Sequence, residues 1–111
     1  MLQIFQLWWQ IVILRKKDKD RIITIAKDTL KTPSQLWAYG SRVNGDAHDT
    51  SDLDMVIVTS NNEKLNISEL MDFKNALQQS NIPILTQVLD WNRIPKSFHK
   101  NILNHYEVLS F

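Results

Sequence analysis

Asp52 and Asp54 stand two residues apart at the head of an apolar run, Met55-Val56-Ile57-Val58, and Gly40-Ser41 lies about ten residues upstream. Side chains alternate faces along a strand, so carboxylates at this spacing project together. They repel unless a cation sits between them. Their hard oxygens suit Mg²⁺, which is usually held by one or two protein carboxylates plus substrate phosphates. Gly40, lacking a Cβ, lets the chain turn sharply and lets a ligand come close. Ser41 adds a hydroxyl beside the backbone N–H groups of whatever helical turn follows, as at the helix N-termini that hold phosphates. A phosphate cradle facing a pair of metal ligands is equipped for phosphoryl or nucleotidyl transfer.

These residues need a scaffold. Ile22, Ile23, Ala26 and Leu30 share one side of a helix expected over 18–31, with acids early and Lys31 late, in line with the helix dipole, and Pro33 beyond its end. Leu36 to Tyr39 reads as a first core strand and Asp52 to Thr59 as a second. Past its aspartates the second strand is apolar on both faces, which places it centrally in a sheet and covers it on both sides. Asn66 and Glu69 are spaced as an N-cap and its return partner for a helix that buries Leu70, Phe73 and Leu77. A third strand is expected over Ile84 to Leu89. Pro95 then suits the first turn of a last helix, along which Phe98, Ile102 and Tyr106 align. Val108 to Phe111 is too short to assign. The alternation of helices and strands predicts an α/β or α+β domain with a small mixed central sheet flanked by helices.

With 111 residues, the chain can bury one core. Lys and Arg number 13 against 12 Asp and Glu, so nothing global attracts nucleic acid or an anionic membrane. The chain has no Cys, which removes disulfides and thiolate chemistry and is compatible with the cytoplasm. Residues 1–17 differ from the rest. Ten of the thirteen positions from Leu2 to Leu14 are apolar, with Gln3, Gln6 and Gln10 at helical spacing. The stretch is short for a membrane span, which needs about twenty residues. It also lacks the basic start and cleavage site of a secretory signal. Packing against protein is the favoured reading; a membrane-surface anchor and extra residues from an upstream start codon are the alternatives. The expected organisation is therefore an apolar, helical extension over 1–17 and one domain over 18–111.

Gly40-Ser41, about ten residues, then Asp52-x-Asp54 resembles the nucleotidyltransferase signature of the DNA polymerase β superfamily. Arg42, Val43, Gly45, Ala47 and Ser51 fit its small bacterial version, the minimal nucleotidyltransferases, and the likeness runs from about Asp18 to the C-terminus. The resemblance implies the nucleotidyltransferase fold, with a mixed sheet and the metal site at one edge. It implies a Mg²⁺-dependent, two-metal enzyme that moves a nucleoside monophosphate, AMP from ATP, onto a hydroxyl. Asp52, Asp54 and Ser41 would then be catalytic, Asp52 and Asp54 the metal ligands, and Gly40, Ser41 and Arg42 the phosphate-binding residues. The implied partner is a HEPN-type protein, often an RNase toxin, neutralised by adenylylation of a tyrosine or by binding. A small-molecule acceptor such as an aminoglycoside is the weaker alternative.

The third strand departs from the pattern. Minimal members tend to read Val-Asp-Val-Val-Asp-Trp there, with the first Asp as a third carboxylate and base. Thr86-Gln87-Val88-Leu89-Asp90-Trp91, aligned on Asp-Trp, places Gln87 at that position. An amide offers a metal an oxygen but carries no charge and accepts no proton as a base. Asp90, three residues on, faces the other way and suits a capping role before Pro95. Loss of a general base costs about 10²- to 10⁴-fold in rate. A catalytically weak or inactive antitoxin-like subunit that binds its partner is therefore the alternative function. The remaining candidates read as structural. His48 is a solvated loop residue, and His99 and His105, six apart, are poorly spaced for one metal. Trp37 and Trp91 belong to the core rather than to a base-stacking platform, and Lys16, Lys17 and Lys19, interleaved with Asp18 and Asp20, form a solvated face.

Overall fold

Residues 14–40 and 52–109 are described by a computed structural model. In chain order they form α1 (Lys16–Thr29), β1 (Ser34–Tyr39), β2 (Leu53–Thr59), α2 (Ile67–Gln78), β3 (Thr86–Asp90), a 3-10 turn (Trp91–Arg93), α3 (Lys96–Asn104) and β4 (Tyr106–Leu109). Among the described residues the strands make one sheet in the order β3-β2-β1-β4. β1 runs antiparallel to both β2 and β4, and β2 runs parallel to β3, so the sheet is mixed, as expected. A parallel pair needs a crossover, and α2 supplies it.

One face of the sheet carries the core. Leu36 and Ala38 of β1, Met55 and Ile57 of β2 and Val88 of β3 meet Ile22 and Ala26 of α1 and Leu70, Phe73 and Leu77 of α2. Burial of a side chain such as Phe73, fully enclosed here, stabilises the fold by about 1.5–3 kcal/mol. The opposite face is partly roofed by α3, whose Phe98 meets Tyr39 edge-on at 6.0 Å between ring centroids. Val56 lies on that second face and is also fully buried. The middle of β2 is thus covered on both sides, which its doubly apolar sequence requires.

α1 begins at Lys16 because the Arg15 carbonyl accepts from the N–H groups of Asp18 and Lys19, both at 3.0 Å. Asp18 sits in the first turn, where a negative charge complements the helix dipole. It accepts from Arg15 Nε at 2.8 Å and Nη2 at 3.2 Å. Of the expected extension, residues 1–13 lie outside the described residues; Leu14 packs partly buried against the core.

Three expectations change. Glu69 does not return to the N-cap of its own helix. Asn66 caps α2 through Ser68 N–H at 2.8 Å, while the Glu69 carboxylate accepts from Lys31 N–H at 2.7 Å and from Thr32 N–H and Oγ1, both at 2.9 Å. It secures the chain leaving α1, whose N–H groups at Lys31 and Thr32 follow the helix end and find their acceptor there. Tyr106 does not continue the last helix. α3 stops at Asn104, His105 is extended, and Tyr106 opens β4, opposite Tyr39. Pairing with β1 buries Leu109 fully and overrides the helical spacing. β3 lies over Thr86–Asp90, later than expected, and Leu85 instead uses its carbonyl to accept from Leu53 N–H at 2.9 Å.

The Glu69 contacts imply a pH dependence. Burial pushes its carboxyl up, but the hydrogen bonds from Thr32 and Lys31 outweigh this and hold it below its ordinary value. A folded-state pKa below the unfolded one contributes stability above the unfolded value and loses it as pH falls through the folded one. Glu69→Gln should therefore lower stability at pH 7 by no more than about 1 kcal/mol, since the group is largely solvated. It should also flatten the loss of stability below about pH 4 in denaturant titrations.

Candidate active site

The antiparallel turn from β1 to β2 brings the two ends of the sequence signature together. β1 ends at Tyr39, and Gly40 follows with φ +87°, in the left-handed region that glycine enters at little cost. A Cβ at Gly40 would lie 2.6 Å from Asp54 Oδ2. Both the backbone angle and the approach of the carboxylate therefore demand glycine. Gly40→Ala is expected to lower stability by about 1–2 kcal/mol. It should also displace Asp54 and slow any chemistry that depends on this carboxylate by about 10²-fold, since errors of about 1 Å in a reacting group cost that much. Thermal unfolding and initial rates on the same variant check both parts.

The sheet register sets the remaining neighbours. Asp54 pairs with Tyr39 on β1 and with Gln87 on β3, and Tyr39 pairs in turn with Tyr106 on β4. A row Gln87–Asp54–Tyr39–Tyr106 thus crosses the sheet on the face away from the main core. Asp52, just before β2, lies on the same side of the chain as Asp54 by strand alternation. Burial raises the Asp54 carboxyl above its ordinary value, and the neighbouring charge of Asp52 raises it further. The Tyr39 phenol is pushed up to about 12, first by burial and then by the charge of Asp54. Gln87 is exposed, and its Nε2 donates to Asp52 Oδ2 at 3.0 Å.

Of the residues expected from the sequence, Gly40, Asp52, Asp54 and Gln87 therefore share one corner of the sheet. Ser41, Arg42 and His48 lie outside the described residues. Asp90 points the other way: its buried carboxylate accepts from Leu65 N–H at 2.8 Å, Asn92 N–H at 3.1 Å and Arg93 Nε at 3.0 Å. It caps the 3-10 turn that precedes Pro95. Trp37 and Trp91 are half-buried and meet edge-on at 5.3 Å. Trp37 also stacks on Tyr106 at 4.5 Å, and Trp91 on His99 at 3.7 Å. His99 Nε2 lies 2.7 Å from the Trp91 carbonyl oxygen, a packing position remote from His105 at the end of α3. Sequence reasoning missed Tyr39 as a neighbour of Asp54. Its place just before Gly40 was a signal, but only the β1–β2 register makes the contact visible.

The donor set fits a hard divalent cation. Burial, and then the charge of Asp52, raise the cost of ionising Asp54, and the described residues contain no cluster of three or more His, Cys, Asp or Glu that would hold a metal by itself. Mg²⁺ bound by two carboxylates and substrate phosphates needs no such cluster. A cavity of about 330 Å³ between α2 and β3, lined by Lys74, Leu77, Ile82 and Val88 among others, contains neither aspartate.

Known proteins agree with this fold. The family model for "Polymerase beta, Nucleotidyltransferase" matches residues 20–110. The probable protein adenylyltransferase MntA of Haemophilus influenzae is 31% identical over 94 residues, spanning 85% of this chain and 81% of that protein. A chain from a toxin–antitoxin complex crystallised with AMP-PNP superposes with a TM-score of 0.67 at 16% identity, over 82% of this chain and 71% of that one. A chain from the complex of a tri-AMPylated Shewanella oneidensis HEPN toxin with MNT antitoxin superposes with a TM-score of 0.64 at 12% identity, over 86% of this chain and 71% of that one. At those identities the superpositions speak for the fold, whereas the family model and the MntA relative speak for descent. The chain belongs to the polymerase β-type nucleotidyltransferase family, as a homologue of the minimal nucleotidyltransferase MntA.

Proposed function

We propose that this chain is a Mg²⁺-dependent nucleotidyltransferase that moves AMP from ATP onto a hydroxyl of a HEPN-type partner protein in the cytoplasm, as one half of a toxin–antitoxin pair. The observation that carries this reading is the approach of Gly40 to Asp54, with Asp52 beside it on the same side of β2. Asp52 and Asp54 would hold the cation, which when bound neutralises phosphate charge and orients the α-phosphorus. Gly40 leaves room for the Asp54 carboxylate to close against the turn, while Ser41 and Arg42 would hold the β- and γ-phosphates. In the transfer, the acceptor oxygen bonds to the α-phosphorus as the bond to the β-phosphate oxygen breaks. Pyrophosphate leaves with that electron pair and the hydroxyl proton passes to solvent. The protein partner is supported by the MntA homologue and by HEPN–MNT complexes among the structural neighbours.

Gln87 favours a second reading, an antitoxin-like subunit that covers its partner without modifying it. Its amide sits beside Asp52 and accepts no proton. One experiment separates the two. The candidate HEPN partner is incubated with this chain, ATP and Mg²⁺ and weighed by mass spectrometry. A gain of one or more AMP groups supports transfer. An unmodified partner in a stable complex with this chain supports the binding subunit.

A further inference from the structure

Gln87 faces the metal-binding corner with a donor, not with an oxygen. Its Nε2 lies 3.0 Å from Asp52 Oδ2. An ionised carboxylate only accepts hydrogen bonds, so the NH₂ side of the amide must face Asp52 whichever way the group is drawn. We propose that the Gln87 amide occupies the position of a second metal ion at this corner, so that the chain binds one divalent cation per nucleotide and not two. This single-ion site rests on the nucleotide-binding reading above and narrows it.

The charges support the count. Asp52 and Asp54 supply two negative charges, enough to balance one divalent ion, and the described residues add no third carboxylate or histidine to them. Two ions in a transfer site sit about 3.5–4 Å apart and repel strongly, so a pair is stable only where shared and flanking anions screen it. Gln87 lies directly across from Asp54 in the β2–β3 register and bonds to Asp52, so it spans both carboxylates from the β3 side. Its N–H partly neutralises Asp52 and brings no negative charge of its own. An ion arriving with the nucleotide brings phosphate oxygens as further ligands and needs only the open side of the pair. A second, protein-held ion would have to displace the amide.

The test counts Mn²⁺, which replaces Mg²⁺ and is paramagnetic. Full-length chain saturated with AMP-PNP is titrated with Mn²⁺, and bound ions are counted by electron paramagnetic resonance after equilibrium dialysis. The Asp52→Asn/Asp54→Asn chain serves as the baseline. One Mn²⁺ per chain is expected for the parent, rising to two in Gln87→Asp and in Gln87→Glu, both at an exposed position that tolerates the change. Two ions in the parent, or one ion in both carboxylate variants, would overturn the single-ion site while leaving nucleotide binding in place. Neither Mn²⁺ nor AMP-PNP bound by any of the three chains would defeat the nucleotide reading itself, and the single-ion site with it.

Discussion

Exchanging Asp52 and Asp54 together for asparagine is expected to abolish Mg²⁺-dependent nucleotide binding and to lower transfer by about 10³-fold or more, with the fold intact. Metal ligands in such sites stabilise transition-state charge by several kcal/mol, and each 1.36 kcal/mol is tenfold in rate. Stability should move the other way. Burial and the charge of Asp52 raise the Asp54 carboxyl, so at neutral pH the ionised pair opposes folding. A folded-state pKa raised above the unfolded one adds stability below the unfolded value and loses it as pH rises through the folded one. Without metal, the double variant should therefore match or exceed the parent in melting temperature at pH 7. The parent alone should gain stability on acidification through that range, and Mg²⁺ with nucleotide should raise the melting temperature of the parent alone. Calorimetric titration with AMP-PNP and thermal unfolding check these outcomes together. Unchanged nucleotide affinity in the double variant would sink the assignment of Asp52 and Asp54.

The largest loss of stability is expected at a residue with no part in transfer. Asp90→Ala removes a carboxylate whose side chain has no solvent exposure and which joins the loop before α2, the end of β3 and the 3-10 turn. Leu65 N–H is then buried without a partner, Asn92 N–H loses its cap, and Arg93 keeps only its bond to the Leu65 carbonyl, at 2.7 Å. Unpaired buried donors cost about 1–3 kcal/mol each, and breaking a buried ion pair about 3–5 kcal/mol. Arg93 can turn partly to solvent, so about 2–4 kcal/mol is expected in total. In a domain of this size that lowers the melting temperature by roughly 8–25 °C. Nucleotide affinity measured well below the new transition should be unchanged, because Asp90 faces away from Asp52 and Asp54. A fall of less than about 4 °C would show that water replaces the carboxylate.

Asp90 and Gln87 show how much of the site could be read along the chain. Strand alternation alone separates them: three residues apart on β3, they must face opposite ways, and one is buried in a cap while the other stands beside Asp52. The same alternation puts Asp52 and Asp54 together, and the glycine at position 40 is legible because only a residue without a Cβ suits a sharp turn against a carboxylate. The helix spacing of Leu70, Phe73 and Leu77 also holds, since the core that buries them lies along one stripe.

Spacing along one strand or helix determines which side chains share a face, so the sequence by itself determined the Asp52/Asp54 pair, the turn at Gly40 and the amide at the third position. Only the tertiary structure decided which faces meet. Tyr39 enters the Asp54 row through the β1–β2 register, Tyr106 leaves the last helix to pair with β1, and Glu69 reaches the exit of α1 and not its own helix start. Those outcomes turn on partners 15 to 70 residues away in the chain, where the free energy of pairing a strand or satisfying an N–H outweighs the weak local preference for continuing a helix or closing a capping box.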